Sequence, residues 1–391
     1  MERVSFTERM AVDYSVVEKT GFNPYYPEIQ SALDDPLVIE GKPFIDLASN
    51  NYLGLANDPR LCMAARAAID KYGISMCGTP IASGYSDLFR KVEILLSEFL
   101  GLEKTLIYPS CYQANNGLFT AIMKNDDVAL VDRCAHSSLM EGIKATGCKI
   151  RPFLHNNIDH LEMQLKKVDP SSTSFVVTES VFSTEGSIAP FRDIYEMCLK
   201  YSAIPVIDDS HGIGVLGESG RGILEHASIN EYRGYYTASM GKALGNMGGI
   251  ISGPEEYIGY LKYFSSHLVY STAILPSILA GIEKVIKIIN LEFRALSRKM
   301  WKYRDMITRA CLESGWSLTE SITPITSLRG GDSGNTLQIA KMLYEKGILT
   351  TPFIYPSVGR NDGRIRLIAG ANLKEESIAA ATSILRQLNQ W

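Results

Sequence analysis

Apolar positions fall into two alternating spacings along the middle of the chain. Leu88 to Leu100 carries them at helical intervals, and the short apolar run Thr105 to Tyr108 that follows reads as a strand. A helix over Gln113 to Met123 and a strand over Val128 to Val131 repeat the alternation. Phe175 to Val181, Pro205 to Asp208 and Tyr235 to Ser239 are further short apolar runs, separated by helical segments such as Ile194 to Tyr201. Apolar strands alternating with helices predict a mostly parallel sheet covered on both faces, an α/β architecture. After Pro276 a long helical pattern runs to about Ser314. The remainder reads strand, helix (Asn335 to Lys346), strand around Ile354, strand (Arg364 to Ile368) and helix (Glu375 to Leu388), a smaller α+β domain. The predicted organisation is an N-terminal arm over 1–60, a large domain over 61–285 and a small C-terminal domain over 286–391.

Composition narrows the partners. The chain has 391 residues, 46% of them hydrophobic and 21% charged, so a large core is available and a disordered or coiled-coil chain is excluded. A net charge of −4 without any block of like charges leaves no footprint for nucleic acid or an anionic membrane. No apolar run reaches the ~18 residues of a membrane span, and Met1 to Tyr14 is rich in charge, so no integral membrane segment or secretory leader is expected. Seven scattered cysteines without a CxxC pair suggest neither a disulfide framework nor a zinc site, which fits a reducing cytoplasm.

One motif points in a misleading direction. Gly212-Ile213-Gly214-Val215-Leu216-Gly217 has the GxGxxG form, but a dinucleotide fingerprint must open a helix at the start of a βαβ unit. Here two more glycines, Gly220 and Gly222, follow at once, and the segment reads as a glycine-rich loop. What precedes it carries chemistry. The apolar run Ile204 to Ile207 ends in Asp208-Asp209-Ser210-His211, at the carboxyl end of a strand, where open α/β sheets bind ligands. The strand Tyr235 to Ser239 ends in Ser239-Met240-Gly241-Lys242, a lysine among small residues. An Asp, a His and a Lys at neighbouring strand ends suit pyridoxal 5'-phosphate: the amine forms the Schiff base and the Asp keeps the pyridine nitrogen protonated. Alone, Lys242 reads as a solvated loop lysine and His211 as a strand-end histidine; a buried Asp208 needs a charged partner, and a pyridinium supplies one.

The segments Leu47-Ala48-Ser49-Asn50-Asn51-Tyr52-Leu53-Gly54-Leu55, Asp208 to Gly212, Gly217 to Gly222 and Gly241-Lys242-Ala243, in that order, resemble the α-oxoamine synthases. The resemblance implies a fold-type-I pyridoxal-phosphate transferase that joins an amino acid to an acyl-CoA, as a homodimer with shared active sites. It makes Lys242 the Schiff-base lysine, Asp208 the partner of the pyridinium and His211 the donor to the cofactor's phenolic oxygen. His136, in Asp132-Arg133-Cys134-Ala135-His136, matches the histidine stacked on the pyridine ring, and otherwise reads as a helix N-terminal residue. The backbone N–H groups of Cys111 and Tyr112 and the hydroxyl of Ser239 match phosphate-binding positions, and Thr272 matches the hydroxyl that reaches the other subunit's phosphate. Glu179 and Ser183 match residues beside the cofactor. Arg366 matches the arginine that clamps the amino-acid carboxylate, and Asn50 a residue at the substrate.

Within the family, the wording of 153–161 and 183–190 resembles the CqsA-type α-hydroxyketone autoinducer synthases. Two positions depart from the family pattern: Thr79 is followed by Pro80 where an arginine is usual, and Phe89 replaces a histidine. The loop Ser75 to Ala82 thus offers apolar side chains toward the acyl group, and a fatty acyl substrate is expected unless Arg9, Lys19 or another arm residue supplies a cation. The resemblance leaves two other readings, an aminotransferase on the same fold and a non-catalytic partner subunit; Lys242 argues against the second.

Overall fold

A computed structural model describes residues 15–388; Arg9 and the rest of Met1 to Tyr14 lie outside the described residues. Strands β1 (Leu37–Ile39) and β2 (Lys42–Asp46) come first, followed by β3 (Lys104–Tyr108), β4 (Val128–Asp132), β5 (Lys149–Phe153), β6 (Ser174–Glu179), β7 (Ile204–Asp208), β8 (Tyr235–Ser239) and β9 (Gly249–Gly253). The C-terminal part adds β10 (Ile325–Gly331), β11 (Ile348–Leu349), β12 (Thr351–Phe353) and β13 (Gly363–Ile368). The central sheet has seven strands in the order β3-β9-β8-β7-β6-β4-β5, and β9 alone runs antiparallel to its neighbours. Both faces are covered. Val176 and Ile207 enter one apolar cluster while Val177 and Val206 enter the other, the period-two signature of strands buried on both sides.

The polar ends of this sheet matter most. Asp132, Glu179, Asp208 and Ser239 each occupy the last position of a parallel strand, and Glu179 and Asp208 are direct neighbours across β6 and β7. They line one edge of the sheet, the carboxyl edge. The helix Cys111–Ile122 starts three residues after β3, so its N-terminus reaches the same edge.

A helix of 38 residues, Pro276–Glu313, packs against both the central and the C-terminal elements. The boundary expected after residue 285 falls inside it. The segment expected as an arm is also structured: β2 pairs in parallel with β11, and Leu47 is buried in the C-terminal cluster. Helix Pro59–Tyr72, absent from the sequence reading, has an Asp58 cap accepting from Arg60 N–H and stops at Gly73 with φ +76°.

The glycine-rich loop serves a carboxylate of the chain itself. Asp209 Oδ2 accepts from Ile223 N–H at 2.9 Å and from the Tyr236 hydroxyl at 2.8 Å. A Cβ on Gly222, where φ is +89°, would lie 1.8 Å from that oxygen, and one on Gly212 would lie 1.9 Å from Oδ1. The glycines make room for Asp209 and open no long helix. Among the described residues, no helix is long and apolar enough to cross a membrane.

Candidate active site

Asp208 is buried and held from two sides: Asn115 Nδ2 donates to Oδ2 at 2.8 Å and Ser210 N–H donates to Oδ1 at 2.9 Å. Asn115 also donates to Ser138 Oγ at 3.0 Å. The Ser210 hydroxyl accepts from Ser239 N–H at 2.9 Å and touches Cys111 Sγ at 3.4 Å, tying three strand ends together. Sequence reasoning did not single out Asn115 or Ser210. A readable signal existed for Asn115, a poor helix former one turn into a helix that starts at a strand end.

Lys242 is half-buried in the loop after β8; its carbonyl accepts from Gly245 N–H at 2.9 Å, and its amine makes no hydrogen bond or ion pair among the described residues. Burial lowers its pKa, and the nearby carboxylates of Asp208 and Glu179 oppose that shift. Glu179 is pushed up to about 8, by burial first and by Asp208 second, and its Oε1 accepts from His136 N–H at 2.6 Å. His136 caps the helix Ser137–Ala145 and also borders the site: its Nδ1 meets Ser138 Oγ at 2.9 Å, and desolvation of the ring, then Lys242, lowers its pKa against the pull of Asp208. His211 is buried and held far toward the neutral form by burial, with Lys242 and Arg366 adding to the effect.

At the N-terminus of helix Cys111–Ile122 the Ser110 hydroxyl accepts from Gln113 N–H at 3.1 Å. The N–H groups of Cys111 and Tyr112 belong to the first turn and have no intrahelical acceptor. This end of the helix presses on β9: a Cβ on Gly249 would lie 2.3 Å from Cys111 Cα. Ser239 Oγ accepts from Gly241 N–H at 3.2 Å, at the head of the lysine loop.

Arg366 on β13 is 6% exposed, and its Nη1 donates to the carbonyl of Ser183 at 3.3 Å. Its guanidinium lies 5.2 Å from the Phe353 ring, its Nε has no partner, and no carboxylate pairs with it among the described residues. Asn50 Oδ1 is likewise buried and unpartnered. Thr272 stands apart. It is exposed on the segment before the long helix and makes no hydrogen bond among the described residues. The loop of 75–84 contains a π-turn, Pro80–Gly84, and Gly78 O accepts from Ala273 N–H, so this loop sits against the Thr272 segment. Beside it Pro80, Ile81, Tyr85, Phe89 and Leu268 line a narrow apolar cavity. Lys262, which sequence reasoning missed, also borders that cavity, with its ammonium 4.7 Å from the Tyr85 ring. Lys19 lies on the short helix Ser15–Thr20 and is exposed.

Residues 42–385 match the family described as aminotransferase class I and II. The chain belongs to that family. Among its aminotransferase class I and II relatives, 8-amino-7-oxononanoate synthase of Thermoanaerobacter pseudethanolicus is 32% identical over 375 residues, covering 96% of this chain and 95% of the relative. Serine palmitoyltransferase of Sphingobacterium spiritivorum is 29% identical over 369 residues, covering 94% and 92%. Both are α-oxoamine synthases, as the sequence resemblance implied. The solved serine palmitoyltransferase of Sphingomonas wittichii superimposes with a TM-score of 0.94 at 23% identity over 100% of this chain and 98% of that one, so the fold-type-I architecture is shared.

The residues fit pyridoxal phosphate. A buried carboxylate, an unpaired amine, two free N–H groups at a helix start and a neutral histidine offer one partner to each polar part of that molecule.

Proposed function

We propose that this chain is a pyridoxal-phosphate-dependent acyltransferase that condenses an amino acid with an acyl-CoA, releasing carbon dioxide and free CoA thiol to give an α-amino ketone. The observation that carries the reading is the pairing of an unpartnered, half-buried Lys242 beside Asp208 with a buried Arg366 that lacks a carboxylate. When bound, the cofactor supplies an aldehyde for an amine and a protonated ring that accepts the electron pair left at Cα. The chain's side chains do the rest. Asp208, fixed by Asn115 and Ser210, holds the proton on the ring nitrogen. The N–H groups of Cys111 and Tyr112 and the Ser239 hydroxyl hold the phosphate at the positive end of a helix. His136 covers the ring, with Glu179 and Ser183 alongside, and His211 donates to the phenolic oxygen. Arg366 takes the substrate carboxylate in a two-point contact, with Asn50 beside it. Lys242, whose pKa burial lowers, accepts the Cα proton, and His136 is the alternative base.

The carbon that loses this proton attacks the thioester carbonyl and the CoA thiol leaves. The amino-acid carboxylate then departs as carbon dioxide and a proton takes its place. The finer likeness to autoinducer synthases rests on the two segments 153–161 and 183–190 alone. A fatty acyl chain is the proposed acyl substrate, supported by the apolar side chains of Pro80, Ile81 and Phe89. A homodimer is proposed from the exposed Thr272, which completes the partner's phosphate site. A matrix of amino acids against acyl-CoA thioesters, read as thiol release with matching carbon dioxide, tests the reaction. Thiol release that depends on one amino acid is expected; keto-acid formation without any thiol release overturns it.

A further inference from the structure

Tyr52 lies outside the roles assigned so far, yet it makes the only hydrogen bond to the His211 ring among the described residues. Its hydroxyl is 2.8 Å from Nδ1, with the two rings edge to face at 84°. Both residues are buried, at 1% and 4% exposure. A neutral imidazole has one donor and one acceptor nitrogen, so the direction of this bond decides which nitrogen carries the proton. Were Nδ1 the donor, the Tyr52 O–H would need an acceptor of its own, and the described residues provide none. A buried hydroxyl without an acceptor is penalised, so Tyr52 donates and Nδ1 accepts. The proton then sits on Nε2, which has no partner among the described residues.

We propose that Tyr52 is a positioning residue: its hydroxyl locks His211 in the Nε2–H form, ready to donate to the phenolic oxygen of pyridoxal phosphate. The role rests on the cofactor reading above, while the tautomer itself does not. Burial supports the direction of the bond, since it drives the Tyr52 pKa up and keeps the hydroxyl protonated, and it drives His211 down to the neutral form.

Nitrogen-15 NMR of the full chain, with labelled histidine, reads the tautomer directly. The chain has six histidines, and the His211→Gln variant identifies the signal. In the wild type, two-bond correlations are expected to show Nε2–H and an accepting Nδ1 from pH 6 to 8. In Tyr52→Phe, which keeps the ring and removes the donor, the Nδ1–H population rises about fivefold or more. Thermal unfolding of this variant checks that packing survives. A wild-type signal showing Nδ1–H overturns the proposal without any variant, and so does a Tyr52→Phe spectrum identical to the wild type. Adding pyridoxal phosphate then shifts the Nε2–H proton if His211 meets the cofactor. A chain that takes up no cofactor contradicts the proposed function and leaves the tautomer result standing.

Discussion

Replacing Arg366 by lysine keeps the charge and removes the planar fork, which isolates the two-point contact proposed for the substrate carboxylate. Its site constrains the outcome. Arg366 is 6% exposed, its guanidinium packs 5.2 Å from Phe353 and spends Nη1 on the Ser183 carbonyl at 3.3 Å, and Nε is buried without a partner. Lysine offers one compact donor group, so one of two charge-assisted hydrogen bonds is lost, at roughly 1.5–3 kcal/mol. At about 1.4 kcal/mol per tenfold, kcat/KM for the amino acid should fall by roughly 10- to 150-fold. The KM for the acyl-CoA should stay within about twofold, because the contact involves only the amino acid. Initial-rate kinetics with each substrate varied in turn provide the measurement, and binding of the corresponding amine without its carboxylate provides the control. That amine should bind the wild type and the variant equally. Arg366→Lys with unchanged amino-acid kcat/KM, or with its whole loss in the acyl-CoA KM, would refute the argument.

Asn115→Ala removes the 2.8 Å bond to Asp208, and the Kd for pyridoxal phosphate, from equilibrium titration, should rise roughly 10- to 150-fold, the worth of a hydrogen bond to a charged group. His155 gives a pH signature. Burial disfavours its charge, but hydrogen bonds to Asp132, Cys134 and Glu185 outweigh that and lift its pKa to about 11. A group whose folded pKa exceeds its unfolded value of about 6.5 stabilises fully below pH 6.5 and loses that contribution as pH rises toward 11. His155→Gln should therefore flatten the fall of unfolding free energy between pH 7 and 10, measured by urea titration; an unchanged slope contradicts the shift. For the acyl substrate, octanoyl- or decanoyl-CoA should beat succinyl-CoA in direct competition, by up to a few-fold per methylene at ~0.8 kcal/mol each until the pocket fills. A preference for succinyl-CoA would overturn the apolar-pocket argument.

The sheet was readable because strands buried on both faces leave short apolar runs, and Asp208 and Lys242 stood at the ends of two of them. Strand β9 was not: Gly249-Ile250-Ile251-Ser252-Gly253 is framed by glycines, one of which is required by the approach of Cys111, a contact that no local pattern shows. The pairing of β2 with β11 joins segments some 300 positions apart and has the same cause. Helix Pro59–Tyr72 did carry its signals, Asp58 as cap, Pro59 at the first position and Gly73 as stop, and was passed over where the boundary between arm and large domain was drawn at residue 60. In the site, the charged and titratable residues stood out by type. Asn115, Ser210 and Tyr52 did not, since a neutral side chain that orients another becomes visible only when its partner's distance is known.

The central claim is that Lys242 is the amine that holds the cofactor. Borohydride reduction of the purified protein followed by peptide mass spectrometry tests it most directly. Loss of the visible absorption band and one pyridoxyl adduct, located on Lys242, are expected, with Lys242→Ala showing neither the adduct nor turnover. An adduct on another lysine, or a Lys242→Ala variant with activity comparable to the wild type, would contradict it.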